Sequence, residues 1–143
     1  KKLVFIIAGD GPQKDNIFSL INQLEMISKV RMLGHVDEVP ELLNALDVFV
    51  LSSDSKEGVP QSVMQALLMN KAVVATDSGS TCDLLNGNNF KLINVGKIGS
   101  LVKAVSFYLD GNISNYNRNF IVNNFSKAEM TKKIVQLYKL ILK

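Results

Sequence analysis

The chain has one cysteine, no tryptophan and three prolines in 143 residues. A lone Cys82 can neither close an internal disulfide nor build a cysteine-based metal site, which points to a reducing compartment, the cytosol. No basic run with interleaved aromatics occurs. The formal net charge of +3 therefore fits solubility or a mild pull on an anionic ligand better than a dedicated nucleic-acid surface. The apolar stretch from Leu3 stops at Gly9-Asp10, too short for a signal-peptide core or a membrane span. His35 is the single histidine and nothing near it in sequence completes a metal site, so none is expected. What remains is a chain that is 47% hydrophobic, enough for one packed domain with its own core over residues 1–143.

The apolar runs are short, rich in Val, Ile and Phe, and separated by helical patterns, which marks buried parallel strands joined by crossover helices. Strands are expected at 3–9, 30–34, 47–53, 72–76 and 90–94. Helices are expected at 14–27, 39–46, 60–69, 80–86 and 97–109. Right-handed crossovers then give an α/β, Rossmann-like doubly wound parallel sheet with helices on both faces. Residues 110–119 are polar and read as a surface connection. From Ser126 onward, Ala128, Ile134, Val135, Leu137, Tyr138, Ile141 and Leu142 recur at helical spacing, with lysines largely elsewhere, so the chain closes on an amphipathic helix. Such a helix docks on protein; contact of its lysines with a membrane surface is the second reading.

In an open parallel sheet, ligands bind beyond the carboxyl ends of the strands. Those positions here carry Gly9-Asp10-Gly11-Pro12, Gly34-His35, Ser52-Ser53 followed by Glu57-Gly58, and Asp77-Ser78-Gly79-Ser80. The first string lets backbone approach a ligand closely, or is a plain β-to-α turn. In the last, Ser80 and Asp83 fit a capping box, while the free N–H groups of a helix start beside a glycine equally suit a phosphate. Glu57 precedes Pro60, which suits the first helical position; its carboxylate either favours the helix N-terminus or binds a ligand. Gln61 and Gln65 share a stripe apart from Val63, Ala66 and Leu67.

Taken in order, "FIIAGDGP", "VRMLGHVDEVPELLNALDVFVLSSDSKEGVPQSVMQALLMNKAVVATDSGS" and "FSKAEMTKKIVQLYKLIL" resemble the C-terminal, nucleotide-sugar-binding domain of the retaining GT-B "glycosyl transferases group 1" family. The resemblance implies a piece lacking the N-terminal acceptor domain. It also implies loss of the first strand and helix of this domain, with the Arg and Lys that neutralise the diphosphate. It implies that Glu57 is the catalytic acid gripping a donor-sugar hydroxyl, and that the N–H groups of Gly58, Val59 and Gln61 face sugar and phosphate. Ser78, Gly79 and Ser80 then lie near the diphosphate. Gly9, Asp10 and Gly11, with Gly34, His35 and Val36, lie by the base. Gln65 departs from the pattern, standing where a second glutamate would bind the ribose. An amide lacks the charge assistance of a carboxylate, a loss of about 1 kcal/mol or roughly tenfold at most in donor affinity.

Three functions follow as alternatives. The first is the donor-binding part of a retaining hexosyltransferase in bacterial surface polysaccharide or glycolipid synthesis, with a nucleotide diphosphate sugar (UDP or GDP sugar) as substrate and no cofactor or metal. It would be cytoplasmic, with peripheral contact at the inner membrane face as an option. The second is a non-catalytic module of the same descent that binds nucleotide sugar or a protein partner. The third, an unrelated nucleotide-binding domain, is disfavoured because neither the dinucleotide fingerprint nor a Walker lysine is present.

Overall fold

The structure, a computed structural model, describes residues 3–54, 58–84, 90–112 and 118–142. The chain divides into two compact units, residues 1–39 and 40–143.

In the first unit β1 (Phe5–Ala8) runs parallel to β2 (Val30–Gly34), joined by α1 (Lys14–Gln23). The register slips between Ile7 and Ala8, so that Ala8 pairs with Gly34. β1 is two residues shorter at its start than the apolar run promised, and Gly9 ends it by turning to φ +125°. Its side chains are less buried than a parallel-sheet pattern implies: Phe5 and Ile6 are 46% and 37% exposed. α1 also stops short of the expected residue 27. Glu25 adopts φ +54°, its N–H donates to the Asn22 carbonyl and that of Met26 to the Ile21 carbonyl, which is the Schellman closure.

The second unit opens with α2 (Val39–Ala45, its first residue in the preceding unit) and contains a parallel sheet in the order β3-β4-β5, formed by Val48–Leu51, Ala72–Thr76 and Phe90–Ile93. All five residues of β4 are buried, because helices cover both its faces. On one, Ala72 and Val74 meet Ala104 and Tyr108 of α4 (Ile98–Leu109), flanked by Val48, Ile93, Leu101 and Val105. Burial pushes the Tyr108 hydroxyl up to about 12, so it stays neutral. On the other, α3 (Gln61–Leu68) buries Val63, Ala66 and Leu67 fully and packs on β4 and on α5 (Arg118–Phe125). Val63 and Leu67 each contribute on the order of 1.5–3 kcal/mol by burial, the single methyl of Ala66 less. Parallel strands with helices on both faces are the α/β, doubly wound arrangement expected.

Two further features differ from the expectation. α5 begins inside what reads as a polar connection, and its Ile121 is buried. The closing helix α6 (Lys127–Ile141), capped by the Ser126 hydroxyl accepting from the Glu129 N–H, packs on α5 but buries none of its side chains, leaving Ile134, Val135, Leu137, Tyr138 and Ile141 exposed. Beyond this contact with α5, the apolar stripe of α6 stays exposed among the described residues. Nor is any described helix long and apolar enough to cross a membrane.

Candidate functional site

Each loop that follows a strand is built differently. In the first unit, Asp10 ties the turn after β1 to the turn after β2. Its Oδ2 accepts the His35 backbone N–H at 3.0 Å, its Oδ1 accepts Lys14 Nζ at 2.7 Å, and the Gly9 N–H donates to the Gly34 carbonyl at 2.7 Å. The Lys14 ammonium, then the His35 N–H, hold the Asp10 carboxyl below its ordinary value. Lys14 is raised in return. Two features favour glycine at position 34: φ is +68°, which strains an L side chain, and a Cβ would sit 3.2 Å from Asp10 Oδ2 and crowd the tie. His35 points its ring at Asp37, Nε2 to Oδ1 3.2 Å, both exposed. Val36 is half-buried beside it.

In the second unit, Glu57 lies outside the described residues. Gly58 and Val59 follow it into α3, with Gly58 exposed and Val59 half-buried. Pro60 proves to be the N-cap rather than the first helical residue: it is extended at ψ 119° and its carbonyl already accepts the Met64 N–H. Gln61 is therefore the first residue of α3, and no side chain caps the helix start. The N–H groups of a first turn have no intrahelical acceptor, so this end favours an anion or an electron-rich oxygen. Gln61 and Gln65 are both exposed, one turn apart, opposite the buried Val63, Ala66 and Leu67, as the helical spacing indicates. No described atom lies within 4 Å of where a Cβ on Gly9, Gly11 or Gly58 would stand.

The loop after β4 corrects one detail. The amide of Asp83 donates to the backbone carbonyl of Ser80 at 3.1 Å rather than to its hydroxyl, giving a short 3-10 turn at Thr81–Leu84 in place of a capping box. The reason is the neighbouring Thr81, whose Oγ1 donates to the Ser78 carbonyl at 2.6 Å and closes the turn across Gly79 at φ +58°. Ser78 is buried at 7% exposure, Ser80 partly so, and Gly79 faces solvent. Thr81 and Thr76 were not singled out in the sequence; a threonine ending a buried strand and another just past a glycine turn are the signals that mark them. No group of three His, Cys, Asp or Glu side chains that could hold a metal occurs among the described residues.

Glycine turns and open N–H groups at the carboxyl ends of parallel strands are the features of a nucleotide site in an α/β fold. A profile of the family "Glycosyl transferases group 1" matches residues 1–138. The chain belongs to that family. It is 30% identical over 141 residues to the UDP-Gal:alpha-D-GlcNAc-diphosphoundecaprenol alpha-1,3-galactosyltransferase of Escherichia coli, covering 94% of this chain and 36% of the relative. It is 27% identical to the lipopolysaccharide core biosynthesis glycosyltransferase LpsE of Rhizobium meliloti (strain 1021), covering 92% and 40%. Among solved structures it superposes on a glycosyltransferase from Rickettsia africae ESF-5 with a TM-score of 0.87 at 20% identity, covering 100% of this chain and 41% of that one. It superposes on Anabaena Alr3699/HepE in complex with UDP-glucose with a TM-score of 0.83 at 22% identity, covering 95% and 40%. The chain thus spans 36–41% of the length of these four proteins. At such identities the superpositions establish the fold, a part of the two-domain glycosyltransferase architecture.

Proposed function

We propose that the chain is the donor-binding part of a retaining glycosyltransferase that moves a hexosyl-type sugar from a nucleotide diphosphate sugar to an acceptor in bacterial surface polysaccharide or glycolipid synthesis. Support comes from the 30% identity, over 141 residues, to a relative named for UDP-Gal. It comes also from the uncapped start of α3 directly after Gly58 and Val59. In this reading Glu57 accepts from a sugar hydroxyl and orients the donor. The N–H groups of Gly58, Val59 and Gln61 face sugar and phosphate, with Ser78, Gly79 and Ser80 by the diphosphate. Gly9, Asp10 and Gly11, with Gly34, His35 and Val36, lie by the base. Of these, the His35 N–H is spent on Asp10 and the Gly9 N–H on the Gly34 carbonyl, so the base is left the other backbone groups of the two turns.

Transfer requires that charge developing on the departing diphosphate be taken up. Preoriented N–H groups at a helix start do this without reorganising in the transition state, while the acceptor attacks from the face the leaving group vacates. In this reading the acceptor wall and the cationic pair are supplied from outside these residues, and this chain alone is expected to bind without transferring. Gln65 supports a second reading, a module that binds the nucleotide sugar without catalysis, because the amide weakens the ribose contact.

Thermal denaturation with UDP, GDP, ADP and their sugars tests the proposal, since a ligand held only by the native state raises the midpoint by mass action. A rise with one nucleotide series is expected. A midpoint indifferent to all three at about 1,000 times a typical micromolar Kd, where a shift worth about 4 kcal/mol is due, sinks it.

A further inference from the structure

Thr76 is the last residue of β4 and is 5% exposed. The ladder between β3 and β4 ends one position earlier, at the pair Leu51 and Ala75. Beyond it the Thr76 side chain takes over from the backbone: Oγ1 donates to the Ser53 carbonyl at 2.6 Å and lies 3.5 Å from the Leu51 carbonyl. On the opposite side the next amide, Asp77 N–H, donates to the Ile93 carbonyl at 2.7 Å. The point at which β4 turns into its ligand-facing loop is therefore fastened to both neighbouring strands. Five residues on, the fully buried Thr81 closes the same loop onto the Ser78 carbonyl.

A buried hydroxyl is costly to place unless it is used, and here a polar group occupies the end of an otherwise apolar strand. Its one donor hydrogen goes to a carbonyl in the segment leaving β3, the segment that leads through Asp54 to Glu57 and Gly58. Valine would pack as well at a strand end and is nearly isosteric, so packing does not call for the hydroxyl. β-branching restricts χ1 and keeps Oγ1 directed at that carbonyl.

We infer that Thr76 is a positioning residue that locks Ser53, in the segment leaving β3, to the start of the loop after β4, setting the height of the Ser78–Ser80 turn that one diphosphate sugar needs. The inference rests on the donor-binding reading for its ligand, but not for the lock itself.

The test compares the 143-residue chain with Thr76→Val and Thr76→Ser by amide hydrogen exchange without ligand and by calorimetric titration with UDP. Losing one such hydrogen bond is expected to weaken UDP binding about threefold to tenfold. Exchange at Ser52, Ser53 and Asp54 should accelerate while Val73 and Val74 stay protected as in the parent, and serine should restore both readouts. Should valine prevent folding, Thr76→Cys carries the same comparison, because a thiol is a poor donor. Unchanged exchange in the valine variant overturns the lock. So does weaker binding without faster exchange, which would make Thr76 a direct ligand contact, and faster exchange with undiminished binding would overturn its role in the site. A parent chain that ignores UDP refutes the donor reading, and the exchange comparison still decides whether the lock exists.

Discussion

Replacing Gln65 by glutamate should tighten UDP binding without altering the stability of the free chain. Position 65 is the fifth of the eight residues of α3, so a carboxylate there sits beyond the first turn, where the helix dipole has its effect. Its neighbours at three and four residues' distance are Ser62, Leu68, Gln61 and Met69, none of them charged, so no ion pair is made or broken along the helix. The side chain is exposed, and a surface change of this kind stays within about 0.5 kcal/mol. In the complex, a carboxylate accepting from two vicinal ribose hydroxyls gains about 1 kcal/mol over an amide, a Kd about fivefold lower. At saturating UDP that gain appears in the melting temperature as an extra rise of about 3 °C for a chain of this size. Differential scanning fluorimetry of both proteins, free and with UDP, measures it. Equal free midpoints with equal ligand-induced rises, or a smaller rise for the glutamate variant, would refute the assignment of position 65 to the ribose.

Two further outcomes follow from the structure. Glu25→Gly should stabilise the chain by about 0.5–1 kcal/mol in urea denaturation, since a left-handed residue costs an L side chain about 1–2 kcal/mol and glycine gives back about 0.5–1 in entropy. Asn70, at φ +57° in the same closure of α3, tolerates that region better, so Asn70→Gly should gain less, and the reverse order contradicts the argument. The Asp10 tie is sensitive to acid in one direction only. Because the folded pKa lies below the ordinary 3.8, the stabilisation is fully present above that value and is lost as pH falls through the depressed one. Urea midpoints of the parent and Asp10→Asn should differ by a constant amount from about pH 7 down to about pH 5 and converge only in the more acidic range; convergence above about pH 5 would count against the tie.

The strands were legible because buried parallel strands leave short Val- and Ile-rich runs, and "AVVAT" is the clearest: its expected limits, 72–76, are those of β4. Element ends were less so where a backbone choice, not a residue type, decides them. Glu25 carries no breaker signal, yet its left-handed turn ends α1. α5 was hidden by asparagines that read as loop, and only its packing on α3 fixes Arg118–Phe125 as a helix. In the candidate site, residue types disclosed the loops and the separate stripe of Gln61 and Gln65. Hydrogen bonds between loops distant in sequence, such as Asp10 to His35 and Thr76 to Ser53, depend on register, which pattern alone does not give. The apolar stripe of α6 was equally legible, but what covers it is not a local property of the sequence.

The most direct test of the donor-binding claim is the amide spectrum of the isotopically labelled chain titrated with UDP. Saturable shifts are expected at Gly9 to Gly11, Gly34 to Val36, Gly58, Val59, Gln61 and Ser78 to Ser80, with the amides of α6 unmoved. A spectrum that does not respond, or shifts confined to α4 and α6, would contradict it.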